Sequence, residues 1–294
     1  MADTLSTNLA EVTQELIAAT VALLPQSAVM LNLVERMPIG KGHDRIEIPR
    51  WNSTSSVQTP TEGDELVTSS QFDLTSTTIQ PTHRAIMVRI HERATYFSRD
   101  NVISLVSEEL AMTQAQDIDT DLTAEFANFG TGNDSGSTNT NLTLVTLRNA
   151  RRRLLATTRA NGGPAPLPLY VVMAPIPEED LMADLGVQGG SVVTANPPWI
   201  PSGMSQEMIM TYRLPQLLGV QAFVDGYMTE DGSSDFICGM FSKQALQFAV
   251  SKDWDFRTFE VPNWIGPIIR CVADYNSGVG KFPLWGAQIT ADGA

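Results

Sequence analysis

From Asn52 to Thr82, fourteen of thirty-one residues are serine or threonine, and no lysine or arginine occurs between Arg50 and Arg84. Such a stretch favours extended backbone but has almost nothing to bury, so it cannot build a core of its own. It leads into a run from Asp100 to Phe129 that has helical apolar spacing and neither proline nor glycine. A bare extended arm beside a long rod is a poor beginning for an enzyme. It suits a chain whose copies pack against one another.

The arm reads as a long β-hairpin. Arg45-Ile46-Glu47-Ile48 alternates polar and apolar, and Ile86, Val88 and Ile90 fall on one side of a second limb. Pro60 and Glu62-Gly63-Asp64 mark the tip. Two limbs of roughly twenty residues at about 3.3 Å each reach near 65 Å. A chain of this length is expected to have a radius of gyration of only about 19 Å. The arm is therefore expected to lie over a neighbouring copy, with Trp51, Pro60, Glu62, Asp64 and Leu66 as candidate intersubunit contacts.

The rod has Asp100 at its N-cap and Gly130 as its stop. Ile103, Val106, Leu110, Ile118, Leu122, Phe126 and Phe129 fall on one face. Seven acids and no bases lie along it. Asp117, Asp121 and Glu125 stack at i, i+4 and i+8, where like charges cost about 0.2–0.5 kcal/mol per pair. That stripe is either a solvated face or a surface neutralised by arginines of another subunit or of the arm. A second helix is expected over 142–159, with Leu144, Leu147, Leu154 and Leu155 inward. Arg148 and the cluster Arg151, Arg152 and Arg153 face largely outward, as a salt-bridging face or as a contact for nucleic acid or a partner.

Shorter pieces fill the rest. Residues 5–24 form an amphipathic stripe of Leu9, Val12, Leu16, Ala19 and Leu23, ended by Pro25, and a short helical piece follows from Ala28 to Met37. A buried strand is expected over 167–173 and a helix start with Pro177 at its first position. Helical and strand pieces are expected at 208–228, a strand at 235–241 and a helix from Lys243 to Val250. Two closing strands, 268–275 and 284–290, are joined by an Asn276-Ser277-Gly278 turn.

The formal charge of −14 argues against a free nucleic-acid binder, which needs a basic face. Cys238 and Cys271 stand far apart with no CxxC, so buried free thiols are expected. The N-terminus has neither a basic n-region nor a cleavable apolar core, and no stretch is long enough to span a bilayer. His43, His83 and His91 lack metal spacing. Ser277-Gly278-Val279-Gly280-Lys281 fails as a phosphate loop, because Tyr275 stands where its first glycine belongs and Phe282 where its hydroxyl belongs. The paired acids Glu178-Glu179-Asp180 and Asp253/Asp255 read as helix-start and surface charges. No catalytic constellation, metal site or cofactor is expected.

The succession of pieces resembles the major capsid proteins of tailed bacteriophages with the Hong Kong 97-type fold. The resemblance rests on TPTEGDELVTSSQFDLTSTTIQ, then HRAIMVRIHERATYFSRDNVISLVSEELAMTQAQDIDTDL, LYVVMAP, LLGVQAFVDGYM, FICGMFSKQALQFAVSKDWDFRTFE and IIRCVADYNSGVGKFPLWGAQIT. It implies an α+β chain with an N-terminal arm (1–40), an E-loop hairpin (41–95) and a peripheral domain with a spine helix (96–141). An axial domain (142–255) and a return to the peripheral domain (256–294) complete it. By that likeness, copies form hexamers and pentamers of an icosahedral shell around double-stranded DNA, held without sequence-specific binding. Portal proteins, and scaffolding or cement proteins, would be partners. The chain would be made in the bacterial cytoplasm and end in the virion.

The family's type member welds its shell through a hairpin lysine. Here the lysines are Lys41, Lys243, Lys252 and Lys281, none of them between His43 and His91, so no such cross-link is expected. Alternative readings are a nanocompartment shell of the same fold, a β-rich tail or adhesion module, and a hydrolase with an unrecognised site.

Overall fold

The computed structural model describes residues 28–52, 59, 73–91, 102–184, 218–228, 230–231, 233–259, 266 and 268–293. The chain divides into two units, one from 1–46, 79–123 and 247–278, the other from 47–78, 124–246 and 279–294.

The first unit sets one long helix, α1 (Val102–Ala124), with a four-stranded sheet. The strands are β1 (Glu35–Pro38), β4 (Thr82–Arg89), β9 (Leu246–Phe259) and β10 (Ile268–Val279), in the order β1-β9-β10-β4. β1 runs parallel to β9, with Glu35 opposite Gln247, and β4 runs antiparallel to β10, with Ile86 opposite Cys271. The alternation of Ile86, Val88 and Ile90 places all three against a core of Leu110, Phe256, Ile269 and Cys271. α1 buries Leu110, Ile118 and Leu122 as its spacing requires. It also buries Asp119 completely, and that carboxylate accepts the backbone N–H groups of Val29 and Met30 at 2.9 and 3.0 Å.

The second unit is built on a five-stranded sheet. It comprises β5 (Ser135–Gly136), β6 (Leu169–Met173), β7 (Val220–Val224), β8 (Asp235–Ser242) and β11 (Gly286–Asp292), ordered β5-β11-β8-β6-β7. β6 is parallel to β7 and antiparallel to β8, which is antiparallel to β11. Helix α2 (Leu144–Leu155) packs on β11 and β5, and Thr143 caps it through its hydroxyl, which accepts the Thr146 N–H at 3.3 Å. Helix α3 (Pro175–Asp184) follows β6. Phe126, Phe129 and Phe241 form an aromatic cluster with ring centroids 5.6 to 6.2 Å apart. Gly239 lies under it, where an added Cβ would stand 2.7 Å from the Phe126 ring, and Gly286 is held as closely by Phe129.

β2 (Ile46–Asn52) and β3 (Asp73–Ile79) pair with each other as a separate two-stranded sheet. That is the described base of the arm. Only the end of the second limb leaves the first: β3 stays paired with β2, while β4 has an apolar face to bury and joins β10 instead. The tip lies outside the described residues, as do residues 1–27, Asp100 and 208–217.

Several local expectations need correction. Lys243–Val250 is not a helix: Ser242–Ala245 makes a turn, with the Ala245 N–H on the Ser242 carbonyl at 2.9 Å, and β9 begins at Leu246. Leu246 through Val250 are all buried, because β9 has a strand on either side and both faces are covered. A strand buried on both faces loses its alternation and imitates helical spacing. Asn276-Ser277-Gly278 is not a turn but part of β10. Its side chains are tied down, Asn276 to the Gln80 carbonyl and Ser277 to the Asp121 carbonyl, while Ile79 packs over Gly278. The chain turns later, at a 3-10 segment over Pro283–Trp285.

The stretch Ala28–Met37 holds only a 3-10 turn at Met30–Asn32 and then β1, whose pairing with β9 overrides helical propensity. α3 begins at Pro175, not Pro177, since the first carbonyl to accept a helical bond is Ala174. α1 stops at Ala124, and a 3-10 turn over Glu125–Asn128 completes the rod. Cys238 and Cys271 are buried free thiols, and burial pushes both up to about 12.

Candidate assembly surfaces

In the first unit, β4 and β10 bring Arg84 and Tyr275 to the acidic stripe of α1. Arg84 Nη2 reaches Asp121 Oδ2 at 2.5 Å, its Nη1 reaches Asp117 Oδ1 at 3.4 Å, and Tyr275 donates its hydroxyl to Asp117. The guanidinium also lies over the Tyr275 ring, 5.7 Å from its centroid. Two carboxylates one helical turn apart thus share one cation, which offsets the like-charge cost expected from their spacing. Burial raises the Asp121 carboxyl above its ordinary range, Arg84 opposes that shift, and Asp117 reinforces it. Burial and the bond to Asp117 push the Tyr275 phenol up. Neither Arg84 nor Tyr275 was singled out by sequence reasoning. Arg84 had a signal, as the first base after the hydroxyl-rich arm. Tyr275 had none.

Glu125 belongs to the 3-10 turn and accepts from the Asn128 amide at 3.0 Å. On α2, Arg148, Arg152 and Arg153 are exposed and Arg151 is half-buried. Arg153 donates to the Asp134 carbonyl, and the Arg151 Nε is buried with no hydrogen-bond partner among the described residues. Burial raises the Asp134 carboxyl, and Arg153 opposes that shift. No acid occurs between Asp134 and Glu178, so α2 turns a face of one sign outward in a chain of net charge −14. Trp51 lies in β2; Pro60, Glu62, Asp64 and Leu66 fall outside the described residues.

Apolar side chains also face solvent. Leu105 and Met112, seven residues apart on α1, are 55 % and 46 % exposed, and Met87 on β4 is 57 % exposed. In the second unit Leu74 on β3 is 64 % exposed and Val145 on α2 is 52 % exposed. Exposed apolar groups beside charged ones are the usual makings of a protein contact. His83 makes a 2.5 Å contact with Asp274. Among the described residues no group of three or more His, Cys, Asp or Glu could hold a metal ion, and no helix is long and apolar enough to cross a membrane.

No family model and no curated protein sequence matches the chain. Solved structures do. The capsid of cyanophage P-SCSP1u aligns over 91 % of this chain and 89 % of its own, at 13 % identity and a TM-score of 0.63. A structure of Mycobacterium phage Che8 aligns over 89 % and 90 %, at 13 % identity and a TM-score of 0.65. A virus-like particle from Pyrococcus furiosus aligns over 94 % and 98 %, at 10 % identity and a TM-score of 0.59. At TM-scores of 0.63 and 0.65 the chain shares the fold of these tailed-phage capsid structures, the Hong Kong 97-type fold.

Proposed function

We propose that the chain is the major capsid protein of a tailed double-stranded DNA bacteriophage. The observation that carries this reading is the correspondence with phage capsids along about nine-tenths of both chains. Copies assemble as hexamers and pentamers into an icosahedral shell, and the role is structural rather than enzymatic. Contacts that run head to tail and close into rings suit such a lattice better than one self-complementary patch. The exposed apolar groups on α1, β4 and β3 and the basic face of α2 supply different surfaces for them. The net charge of −14 keeps packaged DNA from adhering to the wall, since fixed acids repel phosphates within a Debye length of about 8–10 Å. Portal, scaffolding and cement proteins are the partners this role implies.

Deleting residues 55–75 tests the part played by the arm. Folded subunits that fail to make stable shells are expected, and normal shells from this variant would remove the arm from the mechanism. A nanocompartment shell shares the fold, and cargo separates the two readings: dense DNA in the particles supports the phage role, an encapsulated protein overturns it.

A further inference from the structure

Helix α1 keeps one side open along its first turns. Successive side chains of a helix step about 100° around its axis. Leu105, Glu108, Glu109 and Met112 therefore share one side of α1, and all four are exposed. Leu105 and Met112 form an apolar ridge, and the two glutamates flank it on either side. Leu110 and Gln114, on the far side, are buried. Helix α2 repeats the arrangement with the sign of charge reversed. Val145, Arg148 and Arg152 are exposed along one side, opposite the buried Leu147, Ala150 and Leu154. Each stripe covers eight residues, 105–112 and 145–152, or about 11 Å of helix. Arg84 answers Asp117 and Asp121 further along α1. By contrast, no ion pair among the described residues engages Glu108, Glu109, Arg148 or Arg152.

Charge and shape narrow what covers each stripe. In a chain of net charge −14, arginines on α2 favour an acidic surface, and α1 offers one of matching length. An apolar ridge between two glutamates fits a helix that brings an apolar side chain beside arginines. Val145 then packs on the Leu105–Met112 ridge while the guanidinium groups reach the glutamates. The two stripes carry opposite charge, so neither packs well on a copy of itself. The contact is head to tail, each subunit giving α1 to one neighbour and α2 to the other. Contacts of that kind close into rings. A nucleic-acid backbone would use the arginines of α2 but has no use for Val145 beside them.

We propose that α1 of one copy packs on α2 of the next, Leu105, Glu108, Glu109 and Met112 meeting Val145, Arg148 and Arg152. The contact rests on the shell reading and gives it a named pair of faces.

Charge exchange on the full-length chain tests it. Glu108→Arg with Glu109→Arg, and separately Arg148→Glu with Arg152→Glu, are expected to lower shell yield several-fold. Combining all four substitutions restores the pairing with signs exchanged and is expected to recover most of the yield. Normal yield from either reversed pair, where the unaltered chain assembles, would overturn this contact and leave the shell reading intact. No recovery in the fourfold variant would count against the contact too. An unaltered chain that never assembles would overturn both.

Cysteine pairing covers the case of a reversed variant that folds poorly, and it separates contact between chains from contact within one. Met112→Cys and Val145→Cys are placed on different subunits, which are mixed, assembled and mildly oxidised; Cys238 and Cys271 are buried. Disulfide-linked pairs of chains are expected several-fold above those from Met112→Cys mixed with Leu167→Cys, an exposed position off the stripe. Equal trapping in the two mixtures, or none, would overturn the proposal. So would a 112–145 bond that forms only when both cysteines sit on one chain. Duplex DNA held by the unassembled chain and released by the Arg148→Glu, Arg152→Glu pair, with shell yield unchanged, would assign α2 to nucleic acid instead.

Discussion

Arg84 on β4 meets Asp121 on α1 with 2.5 Å between Nη2 and Oδ2, joining a sheet edge to a helix turn across thirty-seven residues of sequence. The same guanidinium serves Asp117, whose other oxygen accepts from Tyr275. The acidic stripe of the long helix is thus partly neutralised within the chain, by the limb that returns from the arm.

Removing that cation should cost stability. Arg84→Ala leaves two part-buried carboxylates facing each other, and about 1–3 kcal/mol is expected to be lost. Urea unfolding should show a lower midpoint with an unchanged slope. Combining Asp121→Asn with Arg84→Ala should recover part of the loss, because the remaining repulsion goes with the charge. No recovery would mean that packing, not charge, explains the cost.

Asp119 has a different task from its neighbours on the helix. It is fully buried and receives two backbone N–H groups from the entry segment at Val29 and Met30. Asp119→Ala strands both donors and should cost about 2–4 kcal/mol. Faster hydrogen exchange at the amides of 29 and 30 would accompany it. A variant as stable as the parent would show that the entry segment is held by other contacts.

Mild acid should stabilise the folded chain. Burial raises the carboxyls of Asp121, Asp134, Glu178, Asp180 and Asp225 above their ordinary range. Asp255, half-buried and held by the hydrogen bonds of Lys252 and Arg257, goes the other way. A carboxyl that binds its proton more tightly folded than unfolded takes up protons on folding. Stability then rises as pH falls through the folded value toward the unfolded one near about 4. Lower self-repulsion in a chain of charge −14 acts in the same direction. Urea midpoints should be higher near about pH 5 than near about pH 7, and lower midpoints at the more acidic of the two would contradict the sign.

The aromatic cluster of the second unit leaves no room at Gly239, where a Cβ would stand 2.7 Å from the Phe126 ring. Gly239→Ala should therefore cost about 1–3 kcal/mol through overpacking. Near-ultraviolet circular dichroism should change with it, as Phe126, Phe129 and Phe241 shift. Unaltered spectra and midpoint would mean that the ring moves aside freely.

The long helix was legible because Leu110, Ile118 and Leu122 recur at multiples of four residues and a single face is buried. β4 was legible for the matching reason at period two: Ile86, Val88 and Ile90 face one core. β9 was not, because Leu246 to Val250 are buried on both faces and the period vanishes. Asn276-Ser277-Gly278 has turn chemistry, yet the side chains of 276 and 277 find carbonyls at Gln80 and Asp121, so tertiary bonds override the local signal. Of the candidate contact residues, Asp117 and Asp121 could be read as a stripe. Their partners could not, since Arg84 and Tyr275 come from strands distant in sequence and only the folded register of β4 and β10 brings them together. Trp51 could be placed only as a strand residue at the base of the arm.

Electron microscopy of the purified full-length chain, taken through a concentration series under assembly conditions, most directly tests whether this subunit builds a shell. Closed particles of uniform diameter, with walls one subunit thick and rings of six and five, are the predicted result. A chain that stays monomeric at every concentration, with the segment 47–78 protected by its own subunit, would contradict the account.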